Sequence, residues 1–241
     1  MRDEKGWWKM QKIQLICFPY AGGSASFFRG LGEKLQNKIE VTAVEYAGHG
    51  TRRKESYYHT FEELVQDMTT TVRKVRNPEI PYAIFGYSMG SVVAYEIWKA
   101  FQKQEWELPV HMFVASHRPP HLPLQGNLNA DSSEEEVIEA LYNFGGLDPR
   151  LVENKRFLDL FIQPVKVDYG LLLQYQIADI PEKVTCDLTA LYAREDLIGE
   201  EVHQWQEYTE GEFTQYEFPG NHFFLKENEK AVGDVILEKL L

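Results

Sequence analysis

The chain has 241 residues, 44% of them hydrophobic, and sets 25 Lys and Arg against 37 Asp and Glu for a formal net charge of -12. That length suits one large α/β domain or a core carrying an insertion, and the hydrophobic share is ordinary for a packed interior. The acidic balance argues against nucleic acid or an anionic membrane surface as a partner, and no apolar run is long enough to span a bilayer.

The N-terminal stretch "MRDEKGWWKMQK" is charged and lacks an apolar signal core, so a cytoplasmic protein is expected. The first strand signal is "IQLICF", Ile13 to Phe18, which runs into Pro19 and the Gly22-Gly23 pair. "EVTAVEY", Glu40 to Tyr46, reads as a second strand. Thr60 and Glu63 have capping-box spacing, and Phe61, Leu64, Val65, Met68, Val72 and Val75 then share one helical face. "YAIFG", Tyr82 to Gly86, is a strand followed by a helix, "SMGSVVAYEIWKAF", that is apolar nearly all round and therefore central. "VHMFVAS", Val110 to Ser116, is a further strand. Such alternation of strand and helix predicts a mostly parallel sheet covered on both faces.

From Arg118 to Pro181 the strand signals stop. Ser133 and Glu136 form a second capping box ahead of "EEEVIEALYNF", and "LVENKRFLDLFI" and "VDYGLLLQYQI" also read as helical. Residues 118–181 are thus expected to be a helical lid inserted between two core segments, 1–117 and 182–241, with Phe144, Leu171 and Leu172 lining its inner side. Strands resume at "CDLTALYA" and "EFTQYEF", and "EKAVGDVILEKLL" closes the chain as an amphipathic helix. Cys17 and Cys186 lie in strand-like runs with no ligand or disulfide spacing and read as buried free thiols; no metal site is expected.

The chemistry concentrates in "FGYSMGS", where Ser88 stands between Gly86 and Gly90. A serine on a sharp strand-to-helix turn needs small neighbours where the backbone crowds, and the helix N-terminus behind it favours negative charge. Such an elbow calls for an acid and then a histidine, each in a loop after a later strand. "LYAREDLIG" supplies Asp196, with Glu195 and Asp187 as alternatives; "FPGNHFFL" supplies His222. His49, His59, His111, His117, His121 and His203 do not follow the last strand and read as structural or solvated, although His49 in "AGHG" and His121 stand where they could approach the cleft. The residue types fit acyl transfer: imidazole takes the serine proton and returns it to the leaving group, while a carboxylate fixes the imidazole. The tetrahedral oxyanion needs two N–H donors, expected from Met89 and Ala21, each worth about 3 kcal/mol of transition-state stabilisation.

With those residues in view, the sequence resembles the type II thioesterases of nonribosomal peptide and polyketide synthesis. The resemblance runs from "FPYAGGSA", the oxyanion loop, through "YAGHGTR" and "FGYSMGS" to "GNHFFL". Ala47 stands where that family usually has proline, and Tyr87 where histidine is common. "KVDYGLLLQY" matches an R-x-D…Y pattern through Asp168 and Tyr175, with Lys166 in the arginine position. The resemblance implies an α/β-hydrolase fold and hydrolysis of acyl thioesters from the phosphopantetheine arm of acyl or peptidyl carrier proteins, met transiently. It implies no cofactor of the enzyme's own, since the arm belongs to the substrate, and a monomer is expected. A general esterase or lipase, an acyltransferase and a non-catalytic binding protein on the same fold remain open at this point.

Overall fold

Burial along each strand reports its place in the sheet. A computed structural model describes residues 12–124, 128, 131–145, 155–175 and 181–241. In it β1 (Ile13–Phe18), β3 (Tyr82–Tyr87) and β4 (His111–Ala115) are buried at every position, as strands covered on both faces must be. β2 (Ile39–Ala43) and β6 (Phe213–Phe218) have partly exposed residues and form the two edges. With β5 (Asp187–Ala193) they make one six-stranded sheet in the order β2-β1-β3-β4-β5-β6, every pairing parallel. All the expected strands are present, within two or three residues at their ends.

Two hydrophobic layers cover the sheet. On one face α2 (Phe61–Val75) and α3 (Met89–Lys103) pack through Leu64, Met68, Val93 and Trp98. On the other, α1 (Arg29–Leu35) packs against the C-terminal α6 (Leu225–Leu240), with Leu31, Leu35, Val232 and Ile236 buried between them and the sheet. The uniformly apolar α3 is central, as its sequence requires. Thr60 caps α2 by accepting from Glu63 N at 3.1 Å, but the Glu63 carboxylate turns to His59 N at 2.7 Å and leaves the box unclosed. Ser133 and Glu136 close theirs with both reciprocal hydrogen bonds at the N-terminus of α4 (Glu134–Asn143).

The insertion contains α4 and α5 (Lys155–Gln174). α5 joins the two helical segments read from the sequence into one helix with Pro164 inside it. Proline removes one helical N–H, yet the packing outweighs that loss: Ile162 and Val165 are buried with Leu128, Val137 and Leu141. Residues 151–154 and 176–177 of those segments, like the charged N-terminal stretch, lie outside the described residues. Among the elements without a clear sequence signal are α1 and a run of 3-10 turns at Gly199–Tyr208. In the latter, Val202, Trp205 and Tyr208 are buried at a spacing of three, the period at which 3-10 side chains eclipse. Cys17 is fully buried and Cys186 half-buried; burial raises both thiols, Cys186 to about 12. Among the described residues no helix is long and apolar enough to cross a membrane.

Candidate active site

The C-terminal ends of the parallel strands deliver their following loops to one edge of the sheet, where ligands of open α/β sheets bind. Ser88 follows β3 directly. Its backbone sits at φ 53, ψ -120, a sterically sparse region for a residue with a side chain. The turn is tied down by Ser88 N donating to Ala115 O at 2.7 Å and by Ser91 Oγ donating to Gly86 O at 2.9 Å. The flanking glycines are a packing necessity. A Cβ on Gly86 would lie 2.2 Å from Gly90 O, and one on Gly90 would lie 2.2 Å from Phe18 O.

Asp196 follows β5 and His222 follows β6, and the fold brings all three side chains together. His222 Nε2 is 3.0 Å from Ser88 Oγ, while its Nδ1 is 3.0 and 3.1 Å from the two Asp196 carboxylate oxygens. The Asp196 side chain is fully buried and Ser88 is half-buried, open to the cavity beside it. Glu195 points into solvent. Asp187 is exposed at the far end of β5, where it accepts from Glu212 N. Of the three carboxylates, Asp196 is the one in contact with His222.

The sequence did not single out what holds His222. Its carbonyl oxygen accepts two hydrogen bonds, from Tyr87 Oη at 2.7 Å and from Ser116 Oγ at 2.9 Å. Tyr87 is the residue beside the serine, and burial raises its hydroxyl pKa far above the ordinary value, so it stays a donor. The signal for it was Tyr87 itself, a departure from the family pattern inside the elbow.

An apolar cavity opens at Ser88 and His222. Ala21, His117, Phe144, Tyr169, Leu172 and Ile198 are among its walls. Phe144 packs 5.0 Å from the His222 ring. Phe144 and Leu172 are part of this wall. Leu171 and Leu172 are both buried in the core on the α2–α3 side, but only Leu172 also reaches the cavity wall, because neighbouring residues of a helix face different directions. His121 does not reach the site: it stacks on Tyr208 and approaches Gln204 Oε1 at 3.0 Å. His117, the last residue of the core segment ahead of the insertion, lines the cavity with His222, and burial lowers it to about 4, so the ring is neutral there near pH 7.

The loop after β1 is braced from several sides. Tyr20 to Gly23 form a β-turn closed by Gly23 N donating to Tyr20 O at 2.8 Å, with Gly22 at φ +76 in the position that favours glycine. Tyr46 Oη donates to Pro19 O at 2.9 Å. Gly22 N donates to Asp168 of α5 at 2.7 Å, so this amide is already committed, and Ala21 is the loop residue that lines the cavity beside Ser88. Asp168 also takes His49 Nε2 at 3.0 Å. Lys166 makes no part of this cluster; Tyr175 donates instead to Glu96 at 2.7 Å.

Comparison with known proteins identifies the family. Residues 13–240 match the family model for the thioesterase domain. The medium-chain S-acyl fatty acid synthase thioesterase of Rattus norvegicus is 33% identical over 236 residues, covering 95% of this chain and 88% of its own. Among solved structures, the thioesterase RedJ of the prodiginine pathway of Streptomyces coelicolor superposes with a TM-score of 0.86 at 32% identity, over 95% of this chain and 85% of that one. The type II thioesterase BorB of the borrelidin cluster gives 0.84 at 29% identity, over 98% and 95%. A six-stranded parallel sheet shared with these enzymes makes the fold that of the α/β-hydrolases. With a family match that spans the sheet, the insertion and the loop of His222, the chain belongs to the thioesterase family, enzymes that hydrolyse thioesters.

Proposed function

We propose that the protein is a stand-alone type II thioesterase that removes acyl groups from the phosphopantetheine arm of carrier proteins, and that Ser88, His222 and Asp196 are its catalytic residues. The observation that carries the reading is the single imidazole of His222 set between the Ser88 hydroxyl and the Asp196 carboxylate, at 3.0 Å to each. In this reading Ser88 Oγ attacks the thioester carbonyl as His222 Nε2 takes its proton. The oxyanion is held by the N–H groups of Ala21 and Met89. Collapse of the tetrahedral adduct breaks the C–S bond, the arm leaves as a thiol with the proton from His222, and the acyl group stays on Ser88. Water, deprotonated by His222, then releases the acid and restores the serine.

Carrier-borne substrates are supported by the likeness to thioesterases of synthase systems and by the form of the site. Helices α4 and α5 of residues 118–181 act as a lid: Phe144, Tyr169 and Leu172 give an apolar wall suited to an acyl chain. Tyr142 and Leu173 of the same helices are exposed, which suits local apolar docking of a carrier. Long-range attraction is weak for a chain of net charge -12 meeting an acidic carrier, and transient contact suits an enzyme that visits many carriers. Removal of misprimed or stalled acyl groups is the corresponding task. Parallel assay of matched thioesters and oxygen esters tests the reading. Thioesters should be hydrolysed with the larger kcat/KM and without any acceptor other than water. A preference for oxygen esters, or product that forms only with an added acceptor, would overturn it.

A further inference from the structure

One buried carboxylate connects the insertion to the loop beside Ser88. Asp168 of α5 is fully buried, and its Oδ2 alone accepts both Gly22 N, at 2.7 Å, and His49 Nε2, at 3.0 Å. Its Oδ1 has no hydrogen-bond partner among the described residues, so the contact to the loop depends on one oxygen. The other nitrogen of His49, Nδ1, faces Ala47 O at 2.9 Å. An oxygen thus faces each ring nitrogen, an arrangement that stabilises the protonated ring. Burial acts to lower the His49 pKa, but the hydrogen bond and charge of Asp168 outweigh it and the net shift is upward.

Next to this pair α5 touches the loop directly. Val165 lies where a Cβ on Gly22 would be, 2.3 Å from its Cγ2. The Gly22 amide is one peptide away from the Ala21 N–H assigned above to the oxyanion. The acceptor on the Gly22 N–H fixes the Ala21–Gly22 peptide and with it the Ala21 Cα, one of the two ends of the Tyr20–Ala21 peptide that carries the Ala21 N–H. A charge-assisted hydrogen bond at 2.7 Å is well suited to the task.

We infer that Asp168 is a positioning residue for the oxyanion loop, so that the oxyanion hole is in catalytic geometry only while α5 is docked through its Gly22–Asp168–His49 contact. This rests on the proposed role of Ser88 and Ala21. The insertion thereby does more than wall the acyl cavity: it couples its own docking to stabilisation of the tetrahedral adduct. Interactions realised only in the transition state change kcat rather than KM, which separates this role from substrate binding.

The test compares wild type with Asp168→Asn, close in shape and without the charge, and Asp168→Leu, without either acceptor. Each is assayed on a small acyl thioester and for affinity toward a matched trifluoromethyl ketone, which Ser88 converts to a tetrahedral adduct. For Asp168→Asn, kcat and ketone affinity should fall together by about tenfold while KM stays within about twofold. For Asp168→Leu both should fall by about 10², the range seen when an oxyanion donor is lost. If Asp168→Leu does not fold, Asp168→Asn decides the matter alone. Folded variants with kcat and ketone affinity within twofold of wild type, or a loss confined to KM, would overturn the inference. A wild type that binds the ketone but turns over no thioester would defeat the thioesterase reading instead, and ketone affinity would still measure the role of Asp168.

Discussion

The hydroxyl of Tyr87 donates to the carbonyl oxygen of His222 at 2.7 Å, so the residue preceding Ser88 holds the loop that carries His222. Ser116 Oγ donates to the same oxygen at 2.9 Å. Two hydrogen bonds from strand ends thus fix one backbone atom, and through it the distance from His222 Nε2 to Ser88. Tyr87→Phe should leave the fold intact and lower kcat by less than tenfold, because Ser116 remains. Tyr87→Phe with Ser116→Ala should cost more than the product of the two single effects. A double-mutant cycle on kcat checks this; strictly multiplicative losses would mean that the two anchors act independently.

The acid is equally open to test. Asp196 is buried against His222, while its neighbour Glu195 is exposed. Asp196→Asn should reduce kcat by about 10⁴, as expected when the imidazole tautomer is no longer set. Glu195→Gln should stay within a few-fold of wild type. The reverse order would transfer the role to Glu195.

Stability should respond sharply at the elbow. A methyl group on Gly86 would meet backbone, Gly90 O, at 2.2 Å, and no side-chain rotation relieves that contact. Gly86→Ala should therefore destabilise at or beyond the upper end of the roughly 1–3 kcal/mol common for overpacking. Gly32→Ala, whose Cβ would meet only Val41 at 3.7 Å, is the control and should be close to neutral. Urea unfolding of both variants distinguishes them.

A buried histidine away from the site predicts the acid side of the stability profile. His111 stacks on Phe113 and reaches Thr189 Oγ1 at 2.9 Å; burial lowers its pKa from 6.5 to about 4. Between these values the unfolded chain binds a proton that the folded chain does not. Stability from this group is thus complete above about 6.5 and is lost as pH falls toward 4, on the order of 3 kcal/mol in all. His111→Gln should make the acid limb of unfolding free energy shallower. His117, lowered in the same direction, keeps part of the slope. An unchanged limb would exclude His111 as a contributor.

Much of the core was legible because its signals are local. The continuous apolar runs at Ile13–Phe18 and Tyr82–Tyr87 mark central strands, and Ser88, Asp196 and His222 each stand just beyond a strand end. What the sequence hid depends on contacts distant along the chain. Nothing near Pro164 says that the helix continues through it; that follows from Ile162 and Val165 packing on Val137 and Leu141. Tyr87 and Asp168 were visible as motif positions, but their partners, the His222 carbonyl and the Gly22 amide, are backbone atoms that leave no mark in sequence. Leu171 and Leu172 looked equivalent, and only the rotation of α5 decides which one faces the cavity.

The central claim, that Ser88 takes the acyl group from a carrier-borne thioester, is tested most directly by intact-mass spectrometry of enzyme mixed with an acylated carrier protein. Wild type should convert the carrier to its free-thiol form, with a transient enzyme species heavier by the acyl group, and Ser88→Ala should leave the carrier acylated. An acylated carrier that persists with an enzyme competent on small esters, or deacylation by folded Ser88→Ala at the wild-type rate, would contradict it.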